Sequence, residues 1–170
     1  MKNLFKISTL ALVSLIIISA CKKDEDEPDT TPSTPAVAGL YDQIKSDSGY
    51  TYFDGGKLLS GKAPSPHGSF KLRFNSIAQA ALDTSGALPA GSQFPENSII
   101  VKDIYKGGSL AIYAVMQKKA SDPNVASGWV WVEYGPSGNE IYRASLKGAG
   151  CTGCHSTDKH RDYVKTFDLH

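Results

Sequence analysis

Apolar and polar residues alternate through the middle of this 170-residue chain, and the alternation predicts strands. Phe70, Leu72 and Phe74 alternate with Lys71 and Arg73, the pattern of a strand with one buried face. Asn75 or Ser76 can cap a short helix over 77–82. Residues 99–105 are apolar and β-branched, Gly107-Gly108 offers a hairpin turn, and 110–119 supplies the partner strand. Another strand is expected over 129–134. Residues 140–146 fit either strand or helix. Ahead of these, Val37, Leu40, Tyr41 and Ile44 fall at helical spacing and predict an amphipathic helix over 36–46. Stretches 47–66, 84–98 and 121–128 read as loops, and 158–167 as a short terminal helix. No internal repeat is present. The expected fold is α+β, a small antiparallel sheet with a few helices.

The N-terminus has a different character. Lys2 and Lys6 precede an apolar run that ends in Ser19-Ala20, so residues 1–20 read as a secretory signal peptide, too short for a stable membrane span. Ile17-Ile18-Ser19-Ala20-Cys21 resembles a bacterial lipobox, which implies cleavage before Cys21 and its lipidation; the alternative is an ordinary signal peptide with Cys21 free. Residues 21–35 are charged, Pro-rich and without large apolar groups, and read as a tether. The folded domain is expected over 36–170. Lipidation would anchor it to a bacterial membrane, on the periplasmic side or at the outer-membrane surface. A net charge of +1 carries no basic face, so nucleic acid is not an expected partner.

Near the other end stands Cys151-Thr152-Gly153-Cys154-His155. Two thiols three positions apart can each add across a vinyl group of one haem, and the next imidazole can then bind the iron. Half a zinc site would want a second ligand pair, which is missing. A redox dithiol would need no His and a βαβ setting. One covalent haem c is therefore the expected cofactor, bound near the C-terminus with His155 as metal ligand. With Cys21 lipidated and Cys151 and Cys154 thioether-linked, none of the three cysteines is left for a disulfide. His160 reads as a surface residue and His170 as the free terminus.

A late haem motif in a strand-rich domain resembles the cytochrome P-460 and cytochrome c′-β family. The resemblance runs from about His67 to the end. It is carried by His67-Gly68 to Leu82, by Phe94-Pro95 to Lys102, by Val115 to Lys119, by Gly128-Trp129, and by the haem motif with Asp162-Tyr163-Val164. Glu96-Asn97 stands where the family has Asp-Gly. The resemblance implies His155 proximal to a five-coordinate haem with an open distal face. It further implies hydroxylamine oxidation in the branch with a lysine–haem bond, and nitric oxide binding in the branch with an apolar, Phe-roofed pocket.

Lys102 decides between the branches. In its strand it shares a face with Ile100 and Ile104, and an ammonium there must snorkel, find a partner or lose its charge by reaction. Covalent attachment to the porphyrin would do the last; an edge strand would allow snorkelling instead. Lys118, on the face of Ile112, Ala114 and Met116, is the second choice. Glu133 is a candidate proton acceptor, with a surface ion pair as the alternative. Arg73 could hold a haem propionate. Phe70, Phe74 and Phe94 could roof the pocket or fill the core.

Two functions of different class follow: an enzyme oxidising hydroxylamine and passing electrons to a periplasmic acceptor, or a binder of nitric oxide. A mono-haem electron-transfer cytochrome is the further alternative, with a sixth ligand from Met116, His67 or a Lys. A homodimer is expected to be compatible with this size.

Overall fold

The structure, a computed structural model, describes residues 39–61 and 65–169. The expected signal peptide, Cys21 and tether lie outside the described residues. Among the described residues no helix is long and apolar enough to cross a membrane.

The architecture is a seven-stranded antiparallel sheet with a few short helices, a small α+β fold. The strands are β1 (Tyr50–Tyr52), β2 (Leu59–Ser60), β3 (Ser69–Asn75), β4 (Ile99–Lys106), β5 (Ser109–Gln117), β6 (Val130–Tyr134) and β7 (Glu140–Tyr142). They lie in the order β1-β3-β4-β5-β6-β7, with β2 also paired to β3. The helices are α1 (Leu40–Ile44), α2 (Ser76–Gln79), α3 (Cys151–His155) and α4 (Thr166–Leu169). At the β4–β5 hairpin both glycines take the positive φ that a two-residue loop of matching twist requires, +58° and +80°. The Asn75 side chain accepts from the Ala78 backbone N–H, so Asn75 rather than Ser76 caps α2.

Both faces of the sheet are buried. One carries Phe70, Leu72, Phe74, Ile100, Met116 and Trp131. The other packs Val101, Val115 and Val132 against Leu40 and Ile44 of α1.

Several boundaries differ from the sequence expectation. The 47–66 stretch holds β1, β2 and a 3₁₀ turn at Phe53–Gly56 instead of loop alone. Residues 140–146 hold both alternatives, β7 followed by a 3₁₀ turn at Ala144–Leu146. The single terminal helix is replaced by a 3₁₀ segment, Ser156–Arg161, and by α4. Asp162 and Tyr163 separate them with φ of +51° and +69°, which no right-handed helix can contain.

Candidate functional site

Register places the site on the first of those faces. Leu72, Lys102, Ala114, Glu133 and Tyr142 are paired in one row across β3 to β7. Beside it runs the row Phe74, Ile100, Met116, Trp131. With strands ~4.8 Å apart, the Lys102 and Glu133 backbones stand roughly 10 Å from one another. The small Ala114 between them leaves the face open there.

Over this face lies a cavity of about 540 Å³, within the size range of small-molecule and cofactor sites. Phe70, Leu72, Ile100, Met116 and Trp131 line its sheet wall, with Lys102 and Glu133 among them. The opposite wall comes from the C-terminal segment: Ala149-Gly150, then Cys151, Cys154 and His155 of α3, then Val164 to Thr166. His67, Ser65 and Pro66 also line the cavity.

Helix α3 puts both thiols and the imidazole of the C-x-x-C-H run against one space. Cys151 is half-buried, Cys154 is exposed, and both are free thiols. Burial pushes the Cys151 thiol up, partly offset by the Tyr142 hydroxyl bonded to it. The His155 Nδ1 lies 2.7 Å from the Tyr163 carbonyl oxygen. As the acceptor is a carbonyl, Nδ1 carries the proton, and the Nε2 lone pair is left for a metal. Trp131 packs edge-on against the imidazole, ring centres 4.9 Å apart. Burial holds His155 down to about 4, against the raising effect of the Tyr163 bond. The ring is therefore neutral at neutral pH, the state a metal ligand needs.

Lys102 is largely buried, with Nζ 4.1 Å from the Phe70 ring centre. Burial lowers its ammonium from 10.5 to about 8. Glu133 is half-buried and shifted upward by the same cause. Burial, then the charges of Lys102 and His155, holds His67 down to about 4.

Other expected site residues sit elsewhere. Arg73 is on the opposite face of β3 and far from a propionate role. Its Nε donates to both Asp103 oxygens at 2.9 and 3.1 Å, and its terminal nitrogens donate to the Ile44 and Ser46 carbonyls. Phe74 faces the right way but stacks on Phe94 and Phe167 at 6.4 and 6.0 Å, inside the aromatic core next to the cavity. Lys118 turns away from the cavity and pairs with Asp162 at 2.9 Å. His160 is exposed and pairs with Asp168. Asn97 has φ +66°, a conformation Asn tolerates better than most residues, so the Glu96-Asn97 departure keeps the turn. Two contributors escaped the sequence reading: the Tyr163 carbonyl and the Trp131 ring on His155. A helix-breaking pair of positive-φ residues after the motif leaves no pattern in side-chain polarity.

An apolar slot with paired thiols and a neutral, oriented imidazole along one wall suits a flat, largely apolar, metal-centred group, and the class so defined is that of a haem protein on an antiparallel sheet. Family comparison agrees: the cytochrome P460 model matches residues 71–166, from β3 to the start of α4. The chain belongs to the cytochrome P460 family and is a haem-binding cytochrome. Comparison with curated proteins gives no match.

Proposed function

We propose that this domain is a mono-haem c-type cytochrome of the periplasm or outer-membrane surface that oxidises hydroxylamine or a related small N–O compound. The observation that carries it is the convergence of Cys151, Cys154 and His155 on the cavity that also holds Lys102 and Glu133. Cys151 and Cys154 would hold the group through thioethers, and His155 would bind it through Nε2. The haem, when bound, would supply a redox-active iron able to take electrons from a small ligand. The protein's own part is then to exclude water, orient the ligand and take protons.

Glu133 is the proton acceptor. Its carboxylate is on the cavity wall, and its upward shift moves it toward the range useful for a general base. Lys102 is the residue that would bond to the porphyrin edge: its nitrogen would replace a hydrogen on a ring carbon, a change that releases two protons and two electrons and so needs a two-electron oxidant such as a peroxide. A buried amine lowered to about 8 is available as the nucleophile, and the bond would remove a charge that the apolar face disfavours. The electrons leave to a periplasmic acceptor, and acylated Cys21 tethers the domain to the membrane.

Nitric oxide binding without turnover is the second reading, supported by Phe70, Leu72 and Ile100 on the cavity wall. Electron transfer alone is the third, with Met116 or His67, both cavity-lining, as the sixth ligand.

One experiment separates them. The purified, haem-loaded domain is scanned oxidised and reduced, then denatured and weighed. The proposal expects a red-shifted reduced Soret band that Lys102→Met abolishes, and hydroxylamine turnover. An ordinary c-type spectrum, unchanged by that substitution, with nitric oxide binding and no turnover, would support the second reading. A six-coordinate spectrum lost on replacing Met116 or His67 would support the third.

A further inference from the structure

Behind the wall that carries His155, outside the cavity, is a buried ion pair that neither thioether attachment nor proton transfer uses. Lys118 and Asp162 are 8% and 3% exposed, so both charges are withdrawn from water. The Lys118 Nζ donates to Asp162 Oδ1 at 2.9 Å and sits 4.7 Å from the Trp129 ring centre. Gly128 makes room for it: a Cβ there would come within 2.8 Å of Nζ. Burying a charge pair seldom adds stability over a well-packed apolar pair, so stability alone does not account for this one.

Asp162 is held from every side. Besides the ammonium, its Oδ2 accepts from the Phe94 backbone N–H at 2.9 Å. Its carbonyl oxygen accepts from Trp129 Nε1 at 2.9 Å. Its N–H donates to the Lys159 carbonyl, and the next N–H, of Tyr163, donates to the Asp158 carbonyl. These bonds fix two successive non-glycine residues in the left-handed region, at φ +51° and +69°. Such backbone persists only where its surroundings over-determine it, and it is found where strain serves a site. What the strained pair presents is the Tyr163 carbonyl, the acceptor for His155 Nδ1 at 2.7 Å.

We infer that Lys118 and Asp162 are positioning residues for the proximal histidine: their buried pair fixes the left-handed turn that aims the Tyr163 carbonyl at His155 Nδ1, and so sets the donor strength of the axial imidazole. A strong acceptor on Nδ1–H gives the ring more imidazolate character. That strengthens the metal–nitrogen bond and favours the ferric state. The inference rests on the reading of His155 as proximal ligand.

The test uses the haem-loaded domain carrying Asp162→Asn and, in parallel, the neutral pair Lys118→Gln/Asp162→Asn, which retains a side-chain hydrogen bond if Asp162→Asn alone does not fold. Asp103→Asn, which disturbs the other buried pair on the far face of the sheet, is the comparison. Two quantities are read: the Fe–His stretching frequency of the ferrous protein by resonance Raman, and the midpoint potential. The folded Asp162 variants are expected to show a lower stretching frequency and a higher potential, with haem content retained. Asp103→Asn is expected to move neither. A folded Asp162 variant with parental frequency and potential overturns the inference. So does an equal shift in Asp103→Asn, which would mean general loosening. Absence of any Fe–His mode in the parent protein would instead overturn the ligand reading itself.

Discussion

Lys102 holds its ammonium nitrogen 4.1 Å from the centre of the Phe70 ring, on a sheet face where Phe70, Leu72, Ile100 and Met116 are its apolar neighbours. The aromatic face offers partial compensation for lost water, but the net effect of burial is to lower the ammonium from 10.5 to about 8. Between those two values the unfolded chain carries a proton that the folded one has released, so stability rises with pH across that window. Below about 8 both forms are protonated and the full cost persists. At ~1.4 kcal/mol per pKa unit that cost is at most about 3.5 kcal/mol. Lys102→Met is therefore expected to stabilise the haem-free domain by about 1–3 kcal/mol at neutral pH. The gain should shrink toward pH 10.5. Urea unfolding at about pH 7 and about pH 10 measures it, and an equal gain at both would mean that the amine is solvated.

Glu133 shares the cross-strand row of Lys102, one strand beyond Ala114. Burial raises its carboxyl above 4.5, and only the ionised form accepts a proton. Hydroxylamine turnover should therefore rise with pH through a value above 4.5. Glu133→Gln should lower turnover by about 10²-fold or more and remove that limb of the pH profile. The haem spectrum should stay as it was. Steady-state rates across pH, with the spectrum recorded on the same samples, decide the matter. An unchanged profile would assign proton removal to another group.

Which parts of this were legible in the sequence follows from the range of the interactions. The row through Lys102 and Glu133 rests on period-two alternation inside single strands, and that is local information. So is the C-x-x-C-H run. Arg73 and Asp103 depart from the pattern because a charged residue in an alternating strand normally faces water, whereas here α1 covers that face. The hint was present in Ile99 and Val101, apolar residues on the same face as Asp103. β1 and β2, three and two residues long, are too short for any periodicity to register. Lys118 finds Asp162 across 44 positions, and no pattern in either segment marks the pairing.

The pair on the far face is a matter of stability. Arg73 is 2% and Asp103 3% exposed, and the guanidinium also donates to two carbonyls at the end of α1 and just beyond. Asp103→Ala leaves that guanidinium buried without its counter-charge, and should cost about 3–5 kcal/mol. Replacing both residues by Met and Leu should cost much less, because no orphaned charge remains. Chemical denaturation of the two variants and the parent gives the comparison. Haem content under folding conditions should be equal in all three, since neither residue lines the cavity.

Gly148 joins the sheet to the haem motif, and its replacement should disturb both. Its φ is +67°, and a Cβ there would fall 2.7 Å from Trp131 Cδ1 and 2.9 Å from Thr152 Cγ2. Its carbonyl accepts from the N–H groups of Cys151 and Thr152, so it also sets the first turn of α3. Gly148→Ala must shift either the Trp131 ring, which packs on His155, or the helix that carries both thiols. Gly86 is the reference position: its φ is +78°, yet a Cβ added there would meet nothing within 4 Å. Gly86→Ala should show the backbone strain alone, about 1 kcal/mol, and leave the haem spectrum unaltered. Gly148→Ala should lose about 1–3 kcal/mol more and should also broaden or shift the Soret band, because the ring beside the imidazole has moved. Thermal unfolding with absorption spectra of the two variants tests this. Equal losses with parental spectra in both would mean that Trp131 has space to yield and does not govern the orientation of His155.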